Sequence, residues 1–145
     1  MYKNILIATD GSEIARKAMQ DGLALARCLA ANVSAVTVTE PLSEAALGET
    51  VFAPSAEDYD RICAREAARI LSEVDEAASA AGVQCRTVHV RHRLPADGIL
   101  EAADQSGCDL IVMGSHGRRG VARLLLGSQA TEVLTRSRVP VLICR

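Results

Sequence analysis

Short apolar runs alternate with longer stretches of helical period along this chain, and that alternation restricts the fold more than any other feature. Ile5-Leu6-Ile7-Ala8 and Leu110-Ile111-Val112-Met113 are continuous apolar runs, the pattern of strands covered on both faces. Between them, Glu13–Ala31 and Ala56–Ala81 carry apolar residues at helical spacing. Each is an amphipathic helix that packs one stripe on a sheet. Ser12 stands where an N-cap belongs and Gly82 where a helix stops. In the second helix the buried stripe reads Tyr59, Cys63, Ala67, Ile70, Val74 and Ala77.

Val33–Thr39 is rich in β-branched residues and predicts a strand. In Gln84–Arg91, Val88 and Val90 share one face, while Thr87, His89 and Arg91 share the other. A half-exposed strand of this kind suits a sheet edge. Pro95 opens a short helix to about residue 105. Residues 129–137 form a last helix and Val139–Cys144 a last strand, with Pro140 placed at an edge or a strand start. Residues 40–55 lack a period, contain Pro41, Gly48 and Pro54, and read as a long mobile surface loop. The order β-α-β-α-β-α-β-α-β predicts one domain over residues 1–145. It would be a doubly wound, Rossmann-like α/β fold, with a parallel sheet, right-handed crossovers and helices on both faces.

Composition narrows the function classes. Net charge is −2, and the chain has no Trp, one Phe and two Tyr. Neither a cationic surface nor stacking platforms for bases are available, so nucleic acid and anionic membrane are not expected partners. No apolar run reaches the ~20 residues of a membrane span, and no signal-peptide pattern precedes Ile5. The five cysteines, Cys28, Cys63, Cys85, Cys108 and Cys144, form no C-x-x-C pair. They read as small buried hydrophobes in a reducing compartment, and a cytoplasmic location is expected.

The segment that carries chemistry is Gly114-Ser115-His116-Gly117, followed after nine residues by Gly127-Ser128. It leaves a buried strand and enters a helix, where open α/β sheets bind ligands outside the carboxyl ends of their strands. Glycines there let backbone N–H groups approach an anion, and a helix starting at Ser128 adds further donors and a favourable dipole. The Ser128 hydroxyl either caps that helix or reaches a phosphate. Arg118, Arg119 and Arg123 concentrate positive charge there; Arg118 and Arg119 either clamp phosphates or are solvated loop charges. The segment is neither a Walker loop nor G-x-G-x-x-G. Residue chemistry by itself stops at an anion site, with phosphate the expected anion.

The same residues match the G-2x-G-9x-G-[S/T] signature of the universal stress protein family. Lys3–Ser12 resembles that family's opening strand and turn. Asp109–Gly117 resembles its fourth strand and loop, and Val139–Ile143 its last strand. The resemblance covers essentially the whole chain. It implies a sheet of order 3-2-1-4-5 and membership of the ATP-binding branch. Carried over by position, Thr9 and Asp10 lie near the ribose or a phosphate-bound Mg2+, and the backbone of Val38 meets the adenine edge. Met113, Gly114, His116, Gly117, Gly127 and Ser128 line the ribose and phosphates, where Arg118, from its charge, and the backbone N–H of Gln129 are also expected to bind. Independently of the resemblance, Asp10, Val38 and Gly114 each fall at the carboxyl end of a strand expected in the middle of the sheet. The chain departs from the family at Gln129, where many members have Val. It also departs at Arg91-His92-Arg93, where members often have Gly.

Alternatives remain at single residues. Asp10 either contacts ligand or caps the first helix with Ser12, and His116 either touches ligand or holds the loop. His89 and His92 read as surface residues, and Asp97, Glu101 and Asp104 as a solvated helix face. The leading expectation is a homodimeric stress module that binds ATP, AMP or a cyclic nucleotide. It would pair through Val139, Val141 and Ile143 of the last strand and would not be a dedicated catalyst, turnover being limited to slow hydrolysis or autophosphorylation. The alternatives are a dimeric interaction or chaperone-like protein with a vestigial loop, and an ATP-using ligase or sulfurtransferase.

Overall fold

Strand β1 (Asn4–Ala8) sits at the centre of a five-stranded, all-parallel sheet whose strands run in the order β3-β2-β1-β4-β5. The computed structural model describes residues 1–43, 54–117 and 125–145. The other strands are β2 (Asn32–Thr39), β3 (Cys85–Arg91), β4 (Leu110–Gly114) and β5 (Val141–Cys144). The helices are α1 (Glu13–Leu29), α2 (Ala56–Ala81), α3 (Pro95–Ser106) and α4 (Ser128–Arg136). The loop expected over residues 40–55 lies largely outside the described residues, as does Arg118.

The continuous apolar runs become central strands for the expected reason. Alternate residues of β1 face opposite sides: Ile5 and Ile7 join one core cluster, Leu6 and Ala8 another. The first cluster lies under α1 and α2 with Leu110 and Val112, and the second under α3 and α4 with Ile111 and Met113. Ile5, Leu6, Ile7, Ile111 and Val112 are fully buried. Covering a side chain of this size contributes roughly 1.5–3 kcal/mol, so the two central strands anchor both layers.

The local signals are mostly realised. Ser12 caps α1 by accepting from the Ala15 N–H, and Gly82 ends α2 in the left-handed region. β3 is an edge strand, and β5 is the other edge, starting just after Pro140. Proline therefore costs the ladder nothing there.

Several side-chain expectations are corrected. Cys28 is exposed and Cys63 and Cys85 are half-buried, so only Cys108 and Cys144 are buried small hydrophobes. His89 is not a surface residue: it is half-buried, with Nε2 3.0 Å from Thr39 Oγ1. Burial, with Arg91 and His92 nearby, holds its pKa below the usual histidine range. Asp97 and Glu101 are not merely solvated, because they pair with Arg136 (2.8 Å) and Arg93 (3.2 Å).

A candidate ligand cleft at the carboxyl ends of the strands

β1 and β4 are neighbours in the sheet, but the helices that follow them pack on opposite faces. A crevice must open above such a junction. The structure has a cleft of about 460 Å³ there, within the size range of small-molecule sites. Ten of the sequence-predicted site residues line it: Thr9, Asp10, Val38, Met113, Gly114, His116, Gly117, Gly127, Ser128 and Gln129.

One end of the cleft is built from the turn after β1 and the loop after β4. Asp10 Oδ1 accepts from the Ser12 N–H at 2.9 Å, and Thr9 Oγ1 accepts from the Gly11 N–H at 3.2 Å. Asp10 thus takes part in the turn that starts α1 as well as lining the cleft. The loop after β4 folds back on itself: the Gly127 N–H donates to the Ser115 carbonyl at 2.7 Å. His116 Nδ1 lies 3.0 Å from Ser115 Oγ, so the ring is held by its own loop.

The glycines here are set by close approach. A Cβ on Gly127 would lie 3.0 Å from the Ser115 carbonyl oxygen and 3.1 Å from His116 Cα. On Gly117 it would lie 2.6 Å from Asp10 Oδ2. Gly127 itself has φ −59° and ψ 151°, values open to any residue. Contact, rather than backbone conformation, demands glycine there.

Helix α4 begins at Ser128, as expected, but Ser128 does not cap it. Gly127, not Ser128, is its N-cap, and no side chain caps it. Ser128 is the first helical residue and is exposed. The first helical backbone bond runs from the Thr131 N–H to the Gly127 carbonyl at 2.9 Å. The N–H groups of the preceding turn therefore have no acceptor within the helix and open, with the positive end of the dipole, at the cleft. The Gln129 side chain reaches the start of α3, where its Oε1 accepts from the Ala96 N–H at 2.9 Å.

The opposite end is made of side chains. Thr37, Thr39 and Glu40 at the end of β2, Tyr59, Cys63, Glu66, Ala67 and Ile70 of α2, and Pro95 and Ile99 of α3 also line the cleft. The Tyr59 hydroxyl donates to the Glu40 carbonyl at 2.7 Å. Burial, followed by its hydrogen bond with Cys63, pushes its pKa up to about 12. It is therefore a neutral hydrogen-bonding group throughout the physiological range. The α2 residues were missed as site residues because Tyr59 and Cys63 continue a helical apolar stripe. The stripe outruns the sheet, so its first two turns cover the cleft instead of the core.

Among the described residues no group of three or more His, Cys, Asp or Glu side chains could hold a metal ion.

A doubly wound α/β protein with a ligand cleft at its strand-order switch is thus defined by geometry. The model of the universal stress protein family matches residues 1–145. The chain belongs to the universal stress protein family. Universal stress protein YxiE of Bacillus subtilis is 32% identical over the full length of both chains. The solved structure of protein MJ0577 of Methanocaldococcus jannaschii superposes with a TM-score of 0.84 at 28% identity, covering 99% of this chain and 96% of the other. A universal stress protein solved in complex with cAMP gives a TM-score of 0.75 at 28% identity, covering 99% and 97%. Among the described residues no helix is long and apolar enough to cross a membrane.

Proposed function

We propose that this chain binds an adenine nucleotide in the cleft, with the phosphates at the glycine-rich end and the base at the side-chain end. The observation that carries this reading is the uncapped N-terminus of α4 beside a loop whose glycines leave no room for a Cβ. Backbone donors crowded in this way suit a phosphate. The apolar groups of Val38, Ala67, Ile70, Pro95 and Ile99 suit a base. The cAMP complex of a relative supports the choice of adenine. Mg2+, when present, would be carried on the phosphates and contacted by Asp10.

In this reading the protein is a regulatory or protective stress module rather than a dedicated catalyst, because its residues hold phosphates without supplying an evident base to cleave them. The module would work as a homodimer. β5 pairs only with β4 among the described residues, and Leu142 is 41% exposed on that edge. The same edge favours a second reading, in which dimeric interaction rather than binding is the function. Calorimetric titration with Mg-ATP, AMP and cAMP tests the first reading. One site per chain is expected, and absence of heat at millimolar nucleotide would end it. Stress survival that tolerates loss of binding but not loss of the dimer would favour the second.

A further inference from the structure

The first turn of α3 lacks an acceptor of its own. Its N-cap is Leu94, which has no side-chain acceptor, and Pro95 at the first helical position has no N–H. The Ala96 N–H is therefore the first donor of the helix, and Gln129 of α4 supplies its acceptor at 2.9 Å across the two helices. The other end of α4 is tied to the same turn, because Arg136 Nη1 lies 2.8 Å from Asp97 Oδ1. This turn also presses on the far end of the cleft: a Cβ on Gly98 would lie 2.6 Å from Val38 Cγ1. The first turn of α3 is thus a strut between the end of β2 and the helix whose N-terminus opens at the cleft.

We infer that Gln129 is a positioning residue. Its side chain holds the start of α4 against the α3 strut, so that the backbone donors of α4 stand at the right distance from phosphates bound below. This rests on the nucleotide reading above. Its consequence is selective: weakening the Gln129–Ala96 bond disturbs the phosphate end more than the base end, since Val38 and Gly98 stay in place.

The test compares ATP with adenosine by calorimetry in wild type, Gln129→Met and Gln129→Asn. Met keeps the length without an acceptor, and Asn keeps the amide but is too short to reach. ATP is expected to weaken by about fivefold or more, the scale of one hydrogen bond, and adenosine by less than about twofold. An unchanged ATP-to-adenosine ratio in a folded variant overturns the inference. Amide exchange in the wild type gives an independent reading, with the Ala96 N–H expected to slow on adding ATP but not adenosine. Equal slowing by both ligands overturns it as well. Wild type that binds neither ligand refutes the nucleotide reading itself, and the role of Gln129 with it.

Discussion

The two ends of the cleft are built by opposite means. At the glycine end main chain comes to the surface beside Asp10 and His116, and Gly117 and Gly127 matter because they bring no side chain. At the other end it is side chain, with Tyr59 and Ile70 from α2, Val38 from β2 and Ile99 from α3. A backbone surface cannot adapt, since its positions are fixed by the strand and helix it joins. A side-chain surface can repack at modest cost. Substitutions at the first end should therefore act on phosphate recognition sharply and selectively. Those at the second should act on base and nucleotide together, and mildly.

The largest expected effect is Gly127→Val. Its Cβ would meet main-chain atoms at 3.0–3.1 Å, and retreat would break the 2.7 Å bond to the Ser115 carbonyl. Titration should show ATP affinity reduced by on the order of 100-fold, or about 2.7 kcal/mol, with adenosine affected much less. Gly117→Val should cost less, because its obstacle is the Asp10 carboxylate, which can turn away by giving up the Ser12 N–H. Equal losses of ATP and adenosine in both variants would break the comparison.

At the side-chain end, Gly98→Ala drives a methyl group into Val38, and overpacking of this kind costs about 1–3 kcal/mol. Thermal unfolding should fall by roughly 3–8 °C, and ATP and adenosine should weaken in parallel. Tyr59→Phe removes the bond to the Glu40 carbonyl. A loss of about 1 kcal/mol in urea unfolding is expected, again with no change in the ATP-to-adenosine ratio.

The smallest effect is a pH dependence at the rim. His89 has a lowered folded pKa, so near pH 6 the unfolded chain binds more protons than the folded one. Its contribution is intact above the ordinary histidine pKa of about 6.5 and declines as pH falls from there toward the folded pKa. Urea midpoints should drop between pH 7.5 and 5.5. His89→Gln, which keeps a partner for Thr39, should flatten part of that drop.

The backbone end of the cleft was legible in the sequence, and of the side-chain end only Val38 was. Glycines at fixed spacing after a buried strand mark a place where atoms must be missing, and that survives without a structure. The two covered sheet faces followed likewise from the apolar runs around Ile7 and Val112, whereas the strand order was implied by the resemblance to the family. Tyr59 and Cys63 carried no such mark, since their spacing in α2 is that of core residues. Only the length of α2 relative to the sheet puts them at the cleft. Of the two readings of Ser128, the favoured N-cap role is excluded, because Gly127 takes the N-cap position of α4. The Gln129 amide is bonded to α3 in the structure. Its partner Ala96, 33 residues away, belongs to tertiary structure. His92 adopts φ 56°, a left-handed conformation of the kind glycine adopts without strain, within the Arg91-His92-Arg93 segment where the resemblance led to an expectation of Gly.

The most direct test of the account is the structure of this chain with ATP bound. The account predicts phosphate oxygens within hydrogen-bond distance of the N–H groups of Ser128, Gln129 and Ala130, and adenine between Val38 and the first turns of α2. Adenine at the α4 end, or nucleotide bound outside the cleft, would contradict it.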